Sequence, residues 1–336
     1  MSTDGLPRRP CARRGSWVTV GAMAMAAAAA TASGCDALFG VTPGGRDAGD
    51  ADAWTGVAVD AGVDAVQPDG PPEDLDADGV ANAVDNCPGH GNSEQWNEDG
   101  DTTGDACDAC PHQFDDGDDF DDDGVGTGCD PDDMTSGHRW ALFDGFEGEL
   151  GLTTCDGAPL AGWWCALNGS GGVPTSAGGT MTLPWSAGVT SMSVLHAIPR
   201  SASIRLVAAI DAGVYDMAAS RVTLRVVAQL QTSAGPWVVN CGLLRDNNGA
   251  VTLRVAHGAS GSGTVTASDM AVVVDPFAPH TITLDVSTTS ATCAFAGVGA
   301  VTIGLPANVT EIGPAVGLGP AGVELRVPYF GVITRT

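Results

Sequence analysis

The chain has 336 residues, enough for one or two domains, and a formal net charge of −27. Its basic residues are all arginine, and none lies between Arg46 and Arg139, where more than half of the carboxylates sit. So acidic a surface excludes nucleic acid as a partner, since that binding needs clustered cations, and favours cations instead.

The chain opens with Arg8, Arg9, Arg13 and Arg14, followed by the uncharged run "WVTVGAMAMAAAAATAS". The run is mostly alanine and too short for a membrane span, so residues 1–34 are expected to be an export signal. It ends in "ASGC", which resembles the lipobox of bacterial lipoproteins, with Ala32 where that family usually has leucine. The resemblance implies that Cys35 is lipidated and becomes the mature N-terminus, anchored in a membrane of the cell envelope. The alternative is cleavage after Ala30–Ala32 and free secretion. Cysteine parity favours the lipid: removing Cys11 and acylating Cys35 leaves eight cysteines of the ten, which can all pair.

Residues 35–70, typified by "RDAGDADAWTGVAVDAGVDAVQPDGPP", keep neither a strand nor a helix period. They read as a flexible tether, with a root-mean-square span on the order of 35 Å if disordered.

Residues 71–133 are acidic and carry four cysteines. Counted from Asp74, side-chain oxygens fall at the first, third, fifth, ninth and twelfth positions (Asp74, Asp76, Asp78, Asn82 and Asp85), with Gly79 sixth and Val80 seventh. That is the ligand register of a calcium loop: alternate side chains turn inward, glycine permits the sharp turn, and the seventh residue offers its carbonyl. The register recurs at Asn97, Asp99, Asp101, Asp105 and Asp108. It recurs again at Asp119, Asp121, Asp123, Val125, Thr127 and Asp130. No apolar helical stripe flanks the loops, so these are not EF-hands. The segment's few large apolar residues cannot offset an ordering cost of about 1–2 kcal/mol per residue, so ions and cross-links must. Bridges from Cys87 to Cys107 and from Cys110 to Cys129 would each contribute roughly 3 kcal/mol through the unfolded state. A solvated acidic linker explains the charge but not the repeated register. Zinc at "CPGH" and "CDAC" is disfavoured by an oxidising compartment and by the excess of hard oxygen donors.

The stretches "DLDADGVANAVDNCP", "GDACD" and "DFDDDGVGTGCD", together with Asn92 and Gln95, resemble thrombospondin type 3 repeats. The resemblance implies a segment wrapped around many calcium ions and stapled by disulfides. Thr102 departs from it, standing where the middle loop should have glycine.

Residues 137–336 alternate in short runs. In "RVTLRVVAQL", Val222, Leu224 and Val226 share one face and Arg221, Thr223 and Arg225 the other; "DNNG" marks a hairpin turn. The start "LFDGFEG" and the end of the chain resemble concanavalin A-like or laminin G-like jelly rolls. The whole is thus expected to be mainly β: an irregular, calcium-ordered acidic repeat segment followed by an antiparallel β-sandwich of the jelly-roll type. Proximity pairs Cys155 with Cys165 and Cys241 with Cys293. Trp163, Trp164 and Trp185 are candidates for stacking on sugar, against the plainer reading that they are core. The hydrolase branch of the jelly rolls carries Glu-x-Asp-x-x-Glu on one strand, and the run is absent here. The expectation is therefore a non-enzymatic module that binds a glycan or a surface protein. A divergent polysaccharide-active enzyme on the same sandwich is the alternative.

Overall fold

A computed structural model describes residues 73–115, 117–155, 162–169, 172–185, 189–215, 221–260 and 264–335. The expected signal (1–34), Cys35, the whole tether (35–70) and residues 71–72 lie outside the described residues. Among the described residues, 73–137 carry turns and bends without strands, and the strands lie beyond them.

The strands in chain order are β1 (His138–Asp144), β2 (Trp163–Gly169), β3 (Thr175–Ser176), β4 (Met181–Leu183), β5 (Val189–Ala197), β6 (Ser203–Tyr215), β7 (Arg221–Thr232) and β8 (Gly235–Asp246). They continue with β9 (Val251–Ala259), β10 (Thr266–Val272), β11 (His280–Ser287), β12 (Ser290–Phe295), β13 (Gly299–Gly304), β14 (Val309–Leu318), β15 (Val323–Val327) and β16 (Phe330–Arg335). One sheet runs β10-β9-β8-β7-β14-β5-β2. The other runs β13-β12-β11-β6-β15-β4-β3, with β16 inserted between β6 and β1. The recorded ladders are antiparallel, and the fold is a jelly-roll β-sandwich.

Alternation builds the core. On β7, Val222, Leu224, Val226, Ala228 and Leu230 are all buried, and they belong to one apolar cluster with Leu206, Ile210, Ile282 and Leu284 of the opposite sheet. The valine, leucine and isoleucine side chains among them contribute about 1.5–3 kcal/mol each on burial. The "DNNG" turn joins β8 to β9, with Gly249 at φ +84° and Asp246 Oδ1 accepting the N–H groups of Asn248 and Ala250, both at 2.9 Å. Cys241 of β8 bonds to Cys293 of β12 and crosses from sheet to sheet, while Cys155 bonds to Cys165 on β2.

The polar face of β7 differs from expectation. Thr223 is buried, and residues 319–321 prolong the β14 ladder along β7, exchanging backbone hydrogen bonds with Thr223 and Arg225 in the plane of the sheet. Arg225 donates from Nε to Gly319 O at 2.7 Å, and burial lowers its pKa.

Candidate metal centres

Each acidic loop is a tight turn held by its own carboxylates. In the first, Gly79 N–H donates to Asp74 Oδ2 at 3.0 Å and Val80 N–H to Asp78 Oδ1 at 2.8 Å. Gly79 sits at φ +97°, a conformation that glycine adopts at no steric cost. Asn82 Oδ1 accepts Leu75 N–H at 3.0 Å, closing the loop from its ninth position. The third loop repeats the design: Gly124, at φ +90°, donates to Asp119 Oδ2 at 2.8 Å, and Val125 donates to Asp123 Oδ1 at 3.1 Å. In the middle loop Asp105 Oδ1 accepts Glu98 N–H at 2.9 Å, Asn97 Oδ1 accepts Gly100 N–H at 2.8 Å, and Asp101 Oδ1 accepts Thr103 N–H.

These bonds consume only part of the oxygen inventory. Asp74, Asp76 and Asp78 bring carboxylate oxygens within 4.8 Å of one another, as do Asp99, Asp101 and Asp108, and Asp119, Asp121 and Asp123. Within or beside the groups, Asp74 Oδ1, Asp76 Oδ2, Asp85 Oδ2, Asp99 Oδ2, Asp108 Oδ2, both oxygens of Asp121, Thr127 Oγ1 and Asp130 Oδ2 are buried and make no hydrogen bond. Buried carboxylate oxygens without donors are costly, and a cation at each cluster removes the cost. The donor set is oxygen, so the residues fit a hard divalent ion. The structure gathers the first, third and fifth residues of the outer loops, and the third, fifth and twelfth of the middle one. Asn82, Asn97 and Asp105 brace their loops through the hydrogen bonds above. Val125 is buried against Cys110, Cys129 and Ile333, giving the third loop a small apolar base. Both Val80 and Val125 lend backbone N–H groups to the fifth carboxylate.

Loops are cross-linked in series by Cys87–Cys107 and Cys110–Cys129. Close contact follows: Gly104 packs on Asn86, and Gly126 on Cys110. The segment also packs on the sandwich. Trp140 Nε1 donates to Ala109 O at 2.9 Å, and Arg205, paired with Asp285, donates to Cys129 O at 3.3 Å. His112 lies among Trp140, Phe143 and Tyr329, and burial pushes its pKa down to about 4.

Three site features escape the sequence register. Asp115 has a buried, unpartnered Oδ2, and its charge helps raise the pKa values of Asp99 and Asp108. Asn92, Asp115 and Gly137 stand equally far past Asp74, Asn97 and Asp119, so an extended register would have found it. His138 belongs to the sandwich, yet its Nδ1 lies with oxygens of Asp123 and Asp130. Glu98 shares a side-chain hydrogen bond with Glu147; burial first, then the charges of Glu147 and Asp105, push its pKa up to about 8.

Beside the middle loop lies a groove of about 750 Å³, walled by residues 91–96 and 105–106 on one side and by sandwich residues on the other. Trp96 is 41% exposed there, and Phe143 and Trp163 also line it. Trp163 is otherwise buried and donates from Nε1 to Asp144 Oδ2 at 2.7 Å. Trp164 is buried, and Trp185 is half-buried and does not line the groove. Glu94, Asp105, Asp144 and Glu149 make the groove acidic.

No protein-family model matches the chain, and no curated protein does. Solved structures do. A carbohydrate-binding module from the evolved Dit of Lactobacillus casei BL23 phage J-1 is 12% identical; the match covers 59% of this chain and 96% of that one, with a TM-score of 0.41. SCLam, a non-specific endo-β-1,3(4)-glucanase of glycoside hydrolase family 16, is 10% identical over 60% of this chain and 93% of its own, with a TM-score of 0.41. A kappa-carrageenase from Zobellia galactanivorans is 10% identical over 62% and 98%, with a TM-score of 0.38. At these identities and scores the likeness carries no argument about activity. The expectation that the chain is not an enzyme nevertheless does not stand, since it rested on a missing motif alone. Most of these neighbours are glycoside hydrolases, so the missing Glu-x-Asp-x-x-Glu run does not settle the matter.

Proposed function

We propose that this is an exported, lipid-anchored protein whose acidic segment folds around calcium and whose sandwich engages a glycan in the groove beside the middle loop. The observation that carries the reading is the set of buried, partnerless carboxylate oxygens gathered at three loops in one register. Calcium is favoured over magnesium because the loops offer many carboxylates in flexible turns, and magnesium demands near-ideal octahedral geometry and keeps its waters. The resemblance to thrombospondin type 3 repeats supports the same ion. The lipid anchor is supported by "ASGC" and by parity, since the four disulfides occupy all eight cysteines after Cys35.

The groove supports a glycan through its aromatic faces and its hydrogen-bonding carboxylates. Its charge selects neutral or cationic sugars over sulfated or uronate chains. Cleavage of the bound glycan is the second reading, favoured by the four carboxylates around one groove, since glycoside hydrolysis works through such a pair. The test is calorimetry of the full chain with calcium, followed by neutral and anionic glycans assayed for binding and for new reducing ends. Calcium uptake, with neutral-glycan binding that Trp96→Ala weakens, is the expected result. Failure of the full chain to bind millimolar calcium would sink the reading.

A further inference from the structure

We infer that the third loop's ion is held by the sandwich as well as by the acidic segment, with His138 Nδ1 as a nitrogen ligand beside Asp123 and Asp130. The inference rests on the reading of that loop as a metal site. His138 opens β1 and is 5% exposed. Its Nδ1 lies 2.9 Å from Asp130 Oδ1 and 3.9 Å from Asp123 Oδ2, yet makes no hydrogen bond. The Asp130 side chain is 1% exposed, and its Oδ2 also has no partner; neither has either oxygen of Asp121. Asp123 Oδ2 is fixed by the N–H groups of Gly137 at 2.9 Å and His138 at 2.6 Å, so the loop and the start of β1 are already joined at this point.

A plain imidazolium–carboxylate pair is the rival account. It would leave Asp130 Oδ2 and Asp121 unsatisfied, and it buries charge at a desolvation cost that the pair must repay through good geometry. A cation beside Asp123, Asp130 and His138 would give Nδ1 and Asp130 their missing partner, and through Asp123 it adjoins the cluster that holds Asp121. The place in the repeat points the same way. Cys87 and Cys110 stand equally far past Asp74 and Asn97 and staple each loop to the next. At the corresponding place past Asp119 stands Asp132, so this position has no cysteine to staple the loop onward. The ion bound through His138 would be the third fastening, between the last loop and the sandwich.

Imidazole suits first-row transition ions such as zinc, nickel and copper better than it suits calcium, and manganese, which accepts the same carboxylates as calcium, is the paramagnetic probe for the mixed site. The third site should therefore differ from the other two in preferring such ions. The experiment loads the untagged full chain with Mn²⁺ and records pulsed electron paramagnetic resonance. A ¹⁴N coupling from directly bound nitrogen is expected, and His138→Gln should abolish it while weakening one Mn²⁺ site roughly 10-fold or more. Bound Mn²⁺ without nitrogen coupling in the wild type overturns the inference and leaves the oxygen loops standing. A coupling that survives His138→Gln comes from another histidine and also overturns it. If the full chain binds neither Mn²⁺ nor Ca²⁺, the reading of the loops falls, and this inference with it. The wild-type spectrum decides even if the variant fails to fold.

Discussion

Glu98, Asp105 and Asp108 show what the ions have to do. Burial is the first cause in each case, and neighbouring carboxylates add to it, raising Glu98 to about 8 and the two aspartates to about 6. A folded pKa above the unfolded one means that the ion-free fold holds protons the unfolded chain has released. Its stability is then greatest below about pH 4 and falls as pH climbs toward 8. A divalent cation replaces those protons. Calcium affinity at the middle loop should therefore rise between pH 5.5 and 7.5, with proton release on binding. Calorimetry in buffers of different ionisation heat reads that release, and its absence would show that the carboxylates are already ionised. Gly124→Ala offers a second residue-scale test. Nothing lies within 4 Å of the added Cβ, so only the strain of φ +90° counts, about 1 kcal/mol, read as a lower calcium-loaded melting temperature. The register of Asp74, Asp76 and Asp78 was legible in the sequence because alternate ligands are a local pattern. His138 was not, because its partnership with Asp123 and Asp130 exists only once β1 is placed.

At the scale of elements, local periodicity again marks what could be read. The inward faces of β7 and β11 and the turn at Gly249 follow from alternation and turn chemistry. The pairing order does not. β6 borders β11 along one edge, and along the other β16 and then β15, which no local run of residues specifies. The pairing of Thr223 and Arg225 with residues 319–321 is likewise non-local, made from almost a hundred positions away. The Cys241–Cys293 bridge ties two elements of opposite sheets across 52 residues. Closing a loop of that length restricts the unfolded chain by about 4 kcal/mol in the entropic account. Replacing both cysteines by alanine should lower the unfolding free energy by about that amount, read by urea denaturation in calcium. The loss should be much the same in calcium and in chelator, because the bridge lies wholly within the sandwich. A loss confined to chelator would mean that the bridge acts through the ion loops instead.

The whole molecule departs from a simple picture of an acidic stalk carrying an independent sandwich. The described residues, from Glu73 onward, fall within one compact unit. Cys110, Val125 and Cys129 share a small core with Ile333 of β16 and Trp140 of β1, and His112 packs on the aromatics of the same edge. The acidic segment thus covers the outer face of β1 and β16 with contacts that only an ordered segment can hold. Each ion at about ten times its dissociation constant stabilises the ordered form by roughly 1.4 kcal/mol. Removing the ions leaves dense like charge opposed by two disulfides. Chelation should therefore speed amide exchange in two places together: throughout residues 73–137 and along β1 and β16. The ladders among β7, β8 and β9 lie in the other sheet and carry their own core, so their exchange should change little. The groove should fail with the loops, because Trp96 immediately precedes Asn97, the first residue of the middle loop, and Asp105 both braces that loop and lines the groove. Hydrogen exchange with and without chelator, alongside glycan binding under the same two conditions, makes the comparison. If β1 keeps its protection while residues 73–137 lose theirs, the segment is only draped on the sandwich, and calcium does not reach the groove through it.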